Sequence, residues 1–149
     1  VAVALLGDPK LIIVDEPTAG LDPEERVRFL NLLSRIGEDS VVILSTHIVE
    51  DVTDLCPTMA IMNRGRVLLT GRPADAIAEL REQVWRKQVS KEALPGYEAS
   101  HTVLSTRLVG GQPVIHVFSG QRPEEGFERI DPDLEDVYFR QLRLQRQAA

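Results

Sequence analysis

The chain has 149 residues, 43% of them hydrophobic and 27% charged, a balance that favours a folded protein over a disordered one. Its formal charge is −6, and the whole excess lies in residues 1–65, with 5 Lys/Arg against 11 Asp/Glu; residues 66–149 hold 12 of each. This distribution argues against a nucleic-acid footprint.

The sequence begins at Val1, not at a methionine, and inside an apolar run, so it reads as cut. Val1–Leu6 has the character of a helix tail ended by Gly7 and the turn residues Asp8-Pro9. That run is the longest unbroken apolar stretch and Leu11–Val14 is shorter still, far short of the roughly 20 residues of a membrane-spanning helix. There is no secretory signal pattern. A single cysteine, Cys56, allows no internal disulfide and no metal cluster, which fits a reducing, cytosolic setting.

Leu11–Val14 reads as a strand buried on both faces of a parallel sheet, stopped by Asp15-Glu16-Pro17. Asp22, Pro23 and Glu24-Glu25 read as a helix cap, a first-turn proline and acids that suit the helix dipole. Phe29, Leu32, Leu33 and Ile36 follow at helical spacing, and Gly37 closes the helix. Val41–Leu44 is a second buried strand running into Ser45-Thr46-His47, and Val49–Leu55 a short acidic helix. Met59–Met62 and Arg66–Leu69 flank Asn63-Arg64-Gly65 as a hairpin. The strand–helix–strand–helix order over residues 11–55 predicts a parallel α/β unit.

Beyond Gly71 the charge balances and the rhythm changes. Pro73 opens an amphipathic helix with Ile77 and Leu80 on one side. Gln88–Ser100 is a polar stretch. His101–Val109 and Val114–Ser119 form an antiparallel hairpin through Gly110-Gly111. Leu134–Leu144 is a closing helix, with Arg140, Arg143 and Arg146 suited to its C-terminal end. Trp85 and Tyr97 read as packing residues. His101 and His116 have no acidic or cysteine partners at metal spacing and read as strand residues.

The informative stretch is Leu11-Ile-Ile-Val-Asp15-Glu16-Pro17-Thr18-Ala19-Gly20-Leu21-Asp22. Carboxylates are costly near a core, and the carboxyl ends of parallel strands are where α/β sheets bind ligands. Adjacent acids there can take separate roles, one toward a metal ion and one toward a water. The bland alternative is a solvated strand end.

The segment resembles the nucleotide-binding subunits of ABC transporters. In that family the strand plus aspartate is the Walker B motif, the next glutamate the catalytic base, and Ala19-Gly20-Leu21-Asp22 the D-loop; His47 matches the switch histidine. Asp8-Pro9-Lys10 and Asn63-Arg64-Gly65-Arg66-Val67 also look like the family, whereas Cys56-Pro57-Thr58 departs from its common Asp-Arg pair. The resemblance implies a P-loop NTPase-like parallel sheet, C-terminal half only, over residues 1–71, followed by a small α+β subdomain over 72–149. It further implies ATP and Mg²⁺ as cofactors. Asp15 would hold the ion through water, Glu16 would orient or deprotonate the attacking water, and His47 would hydrogen-bond near the γ-phosphate. Asp22 would link the sites of a head-to-tail dimer.

The sequence holds no G-x-x-x-x-G-K-[ST] phosphate loop, glutamine loop or serine–glycine–glycine signature. It therefore resembles the C-terminal half of such a subunit, and the isolated chain is expected to be inactive, with no useful ATP affinity. Gly71-Arg72-Pro73-Ala74 and Pro132-Asp133-Leu134-Glu135-Asp136-Val137-Tyr138 resemble the C-terminal extension of two-component drug or lipid exporters. The expected partners are a second nucleotide-binding subunit and a separate permease, with no nucleic acid and no span of its own. That places the protein on the cytoplasmic face of the membrane through the permease. A non-transport ABC ATPase of DNA repair or translation, and a non-catalytic interaction fragment, are the alternatives.

Overall fold

The computed structural model describes residues 9–147; the expected helix tail at 1–6 and its stop at Gly7-Asp8 lie outside them. Contacts divide the chain into two compact units, Val1–Pro57 and Thr58–Ala149.

In the first unit, β1 (Leu11–Asp15), α1 (Pro23–Ile36), β2 (Val41–Ser45) and α2 (Val49–Leu55) follow in order. The two strands pair in parallel, from Leu11 opposite Val41 to Asp15 opposite Ser45, so both end at the same edge. α1 starts where the sequence places it. The Glu25 amide donates to the Asp22 carboxylate at 2.8 Å, and the Glu25 side chain reaches back to the Asp22 amide at 3.4 Å, a reciprocal capping box. Gly37 closes the helix in a right-handed conformation, with no need of the left-handed one that glycine allows. Ile12, Val14 and Leu33 form the core, packed by Phe29, Ile36, Val42, Leu44 and Leu55.

The expectation of strands buried on both faces needs correction. α1 and α2 cover one face only. Leu11, Ile13, Val41 and Ile43 on the other are 51%, 67%, 61% and 50% exposed. An unbroken β-branched run is compatible with two covered faces, but a cover must come from another element, and among the described residues of this unit there is none.

The second unit opens with the antiparallel hairpin β3 (Met59–Asn63) and β4 (Arg66–Gly71). Its turn residues Arg64 and Gly65 have φ of 49° and 71°, the left-handed pair that a tight hairpin requires. After α3 (Pro73–Ala78) come β5 (Val84–Gln88), α4 (Leu94–Ser100), β6 (Thr102–Val109), β7 (Gln112–Phe118), the two-residue β8 (Glu128–Arg129) and α5 (Leu134–Gln147). The sheet order is β6-β7-β5-β8, antiparallel throughout. Val89, Val103, Ile115, Val117 and Phe127 make its core, with Trp85, Leu94 and Tyr97 against them.

The polar stretch Gln88–Ser100 is more ordered than its composition implies, since it holds the end of β5 and all of α4. The hairpin β3–β4 falls with this unit, where Asn63 donates to Gln145 of α5 at 2.6 Å. The compact units therefore part at Pro57, whereas charge and rhythm change near Gly71.

Candidate functional site

The parallel pairing brings the expected residues together at the carboxyl ends of β1 and β2. The Ser45 hydroxyl donates to the Asp15 carboxylate, so Asp15 is tethered by its own register partner. The Glu16 amide continues the ladder, donating to the Ser45 carbonyl at 2.8 Å. One residue beyond the strand, Glu16 turns into the left-handed region with φ 44°, which is unusual and strained for a residue with a long side chain. The turn carries its carboxylate to His47, where Oε2 lies 2.7 Å from Nδ1. The His47 side chain is 77% exposed and that of Glu16 35%, so both remain open to a ligand.

A carboxylate only accepts, so Nδ1 must carry the proton in this contact. Nε2 then donates outward only when the ring holds both protons, and accepts when the ring is neutral. The second oxygen of Glu16 stays available to a water. The pair can thus accept a proton at one atom and present a cation at another.

Asp22 is not drawn into this cluster. It sits exposed at the far end of the turn, where one of its oxygens caps α1. Between Glu16 and Asp22 the chain folds through two tight backbone bonds, Ala19 amide to Glu16 carbonyl and Leu21 amide to Thr18 carbonyl, both 3.2 Å. Gly20 adopts φ 79° there, a conformation that a side chain would strain.

The site contains polar residues that the sequence does not single out. Thr18 is 2% exposed and Asp51 fully buried. The Thr18 hydroxyl donates to Asp51 Oδ2 at 2.5 Å, and Arg26 Nε donates to Oδ1 at 2.8 Å. Asp51 reads as one more acid of a solvated acidic helix, and only the tertiary packing shows that it points inward. Cys56 is half-buried, and that burial, with the charge of Asp51 adding to it, pushes its thiol above the ordinary range.

Among the described residues, no group of three or more His, Cys, Asp or Glu is arranged to hold a metal ion. The oxygen of Asp15 nonetheless suits magnesium, which takes one or two carboxylates and completes its shell with waters and phosphate oxygens.

In the second unit the histidines are structural. His116, which the sequence leaves without an acidic partner, finds one in Asp136 of α5, 2.9 Å from its Nδ1. Asp136 and Asp133 also cap each other's amides at 3.2 and 2.9 Å. His101 lies against Tyr97 and Phe127, with ring centroids 5.5 and 5.9 Å apart. Trp85 packs as expected and donates to the Ser119 carbonyl at 3.0 Å.

No protein-family model matches the chain. The Nod factor export ATP-binding protein I of Rhizobium etli is 41% identical to it over 149 residues, covering 93% of this chain and 47% of that protein. ABC transporter A family member 1 of Dictyostelium discoideum is 41% identical over 71 residues, covering 48% of this chain and 8% of that protein. A solved structure described as the ATP-binding subunit of an ABC transporter is 32% identical, covers 48% of this chain and 30% of its own, and superposes with a TM-score of 0.44. The chain spans about half the length of the relatives that it matches along nearly all its extent.

Proposed function

We propose that this chain, a relative of the ABC transporter ATP-binding proteins, supplies the hydrolytic half of such a subunit and powers a separate membrane permease. The observation that carries the reading is the contact of Glu16 with His47 at the ends of two parallel strands, in a chain whose relatives along nearly all its extent are named ATP-binding proteins. The export direction rests on the name of the Rhizobium etli protein and on the exporter-like C-terminal string Leu134–Tyr138.

Asp15, held by Ser45, would be the protein's oxygen ligand to Mg²⁺. When bound, the ion would neutralise charge on the β- and γ-phosphates. Glu16 would accept a proton from the attacking water through the oxygen that His47 does not engage. His47, with both ring nitrogens protonated, would hold Glu16 through Nδ1 and donate from Nε2 toward the γ-phosphate. Phosphoryl transfer asks mainly for positioning and charge stabilisation, and a strained residue fixed between two strand ends offers the first.

Asp22 would face a second subunit across a head-to-tail dimer, with the phosphate loop and signature residues contributed by parts of the subunit outside this sequence. No described helix is long and apolar enough to cross a membrane; attachment to the cytoplasmic face would run through the permease.

The test is ATP-dependent association of the full-length subunit, followed by light scattering. His47→Ala with ATP and Mg²⁺ should accumulate a two-subunit particle that the wild type forms only transiently, because hydrolysis dissolves it. A His47→Ala protein that turns over and dissociates at the wild-type rate would contradict the assignment.

A further inference from the structure

We propose that Asp51 is a positioning residue for the Glu16–His47 pair: its buried carboxylate binds the turn that carries Glu16 to the helix that follows His47. The proposal rests on the reading that these two residues work as a pair, and it assigns a role to a residue that touches neither.

Glu16 holds a left-handed backbone conformation. Such a conformation persists only where the surroundings over-determine it. On its N-terminal side the ladder bond from the Glu16 amide to Ser45 provides one anchor. On its C-terminal side the next buried side chain is Thr18, two residues on and 2% exposed. Among the described residues, its only side-chain hydrogen bond is to Asp51 Oδ2, at 2.5 Å.

Asp51 stands in the first turn of α2, four residues after His47, and its amide donates to the Ile48 carbonyl at 3.2 Å. The Ile48 amide in turn donates to the Thr46 hydroxyl at 3.0 Å, so the segment around His47 is knitted to the start of α2. Arg26 adds a third tie. It reaches Asp51 Oδ1 from α1, one turn after the Asp22 cap, and its backbone amide donates to the Asp22 carbonyl at 2.8 Å. One carboxylate therefore joins the Glu16 turn, the helix capped by Asp22 and the helix that follows His47.

Burying an ionised carboxylate is expensive, and an apolar contact of similar volume often stabilises as well or better. What an apolar contact lacks is direction. Hydrogen bonds to both oxygens fix the turn in one orientation relative to α2, and the Glu16 carboxylate must meet a ring atom at 2.7 Å.

The test reads the His47 ring in the full-length subunit without nucleotide, by nitrogen-15 NMR of the imidazole once the ring is neutral. In the wild type the contact with Glu16 selects the Nδ1–H tautomer at His47. Thr18→Val removes the hydroxyl at nearly constant shape and should move His47 to the Nε2–H form that unconstrained imidazoles favour. Thr18→Ser keeps the hydroxyl and should restore the wild-type ratio. Arg26→Gln removes the other partner from a more exposed position and should shift the ratio part of the way, which covers the case in which Thr18→Val does not fold. His101 and His116, in the other unit, serve as internal references that should not move. The proposal is overturned if the wild type lacks the Nδ1–H form, if both Thr18→Val and Arg26→Gln keep the wild-type ratio, or if Thr18→Ser fails to restore it. No nucleotide enters this readout, so its failure would leave the ATPase reading standing, and failure of the ATPase reading would leave the tautomer result standing.

Discussion

Asp22 carries two roles, a helix cap that the structure displays and the subunit contact proposed for it, and substitution can separate them. Its carboxylate accepts from the Glu25 amide at 2.8 Å. Replacing a capping Asp with Ala typically costs about 1 kcal/mol, within a range of about 0.5–2. The returning bond from the Asp22 amide to Glu25 is long at 3.4 Å and adds little. The charge of Asp22 at the helix N-terminus contributes a further ~0.3–1 kcal/mol at low salt, shared with Glu24 and Glu25 in the same turn. Asp22→Ala should therefore weaken α1 by about 1–1.5 kcal/mol, or roughly fivefold to twelvefold in an opening equilibrium. Amide hydrogen exchange of α1 reads this directly, a useful probe because the first unit holds no Trp or Tyr. Asp22→Ser keeps a capping oxygen and should exchange within about twofold of the wild type. Exchange in Asp22→Ala at the wild-type rate, or in Asp22→Ser as fast as in Asp22→Ala, would refute the cap as the source of stability. With the cap preserved, any loss of ATP-dependent association in Asp22→Ser belongs to the subunit contact.

Two further predictions concern the second unit. Phe127 is 1% exposed at the centre of its core, so Phe127→Ala should cost about 3–5 kcal/mol in urea unfolding followed by Trp85 fluorescence; a cost under about 1 kcal/mol would mean that this core is not the one that matters. Lys87 donates to Glu124 at 2.6 Å, to Tyr97 at 2.9 Å and to the Glu125 carbonyl at 3.0 Å. The bonds to Glu124 and then Tyr97 hold the Lys87 ammonium above its ordinary range, and those from Lys87 and then Tyr97 hold the Glu124 carboxyl below its own. A lowered carboxyl stabilises above its unfolded value of about 4.3 and loses that contribution as pH falls through its folded value. A raised ammonium stabilises below its unfolded value of about 10.4 and loses that contribution as pH rises through its folded value. The cluster should therefore contribute evenly from about pH 5 to 10 and fade in acid and in alkali. Thermal melts of Lys87→Met should lack the alkaline decline and keep only a reduced acid decline, because the Tyr97 hydroxyl still donates to Glu124; melts that keep the full alkaline decline would assign it elsewhere.

Local chemistry made the first unit legible. Asp22-Pro23-Glu24-Glu25 states a helix start in side-chain terms, and α1 begins there. The meeting of Glu16 with His47 follows from two strand ends and the register between them. What stayed hidden depends on partners distant in sequence. Leu11–Val14 shows that a strand can be covered on both faces, not that a cover is present. Val84–Gln88 hides a strand because Arg86, Lys87 and Gln88 read as surface, although Val84 is wholly buried. Leu94-Pro95-Gly96 falls inside the stretch that reads as merely polar, and α4 forms there because Leu94 and Tyr97 pack on the sheet core, a tertiary override of weak helix propensity. Asp51 and Asp136 look like solvated acids until the chain folds Thr18, Arg26 and His116 onto them.

If Glu16 is the base that activates the attacking water, as proposed, turnover and ATP affinity must part company in the full-length subunit carrying Glu16→Gln. Glutamine keeps the size of the side chain and removes its basicity. In that variant kcat should fall at least about a hundredfold, as the loss of a general base does, while the dissociation constant for ATP stays within about threefold of the wild type. Turnover near the wild-type rate would contradict that role.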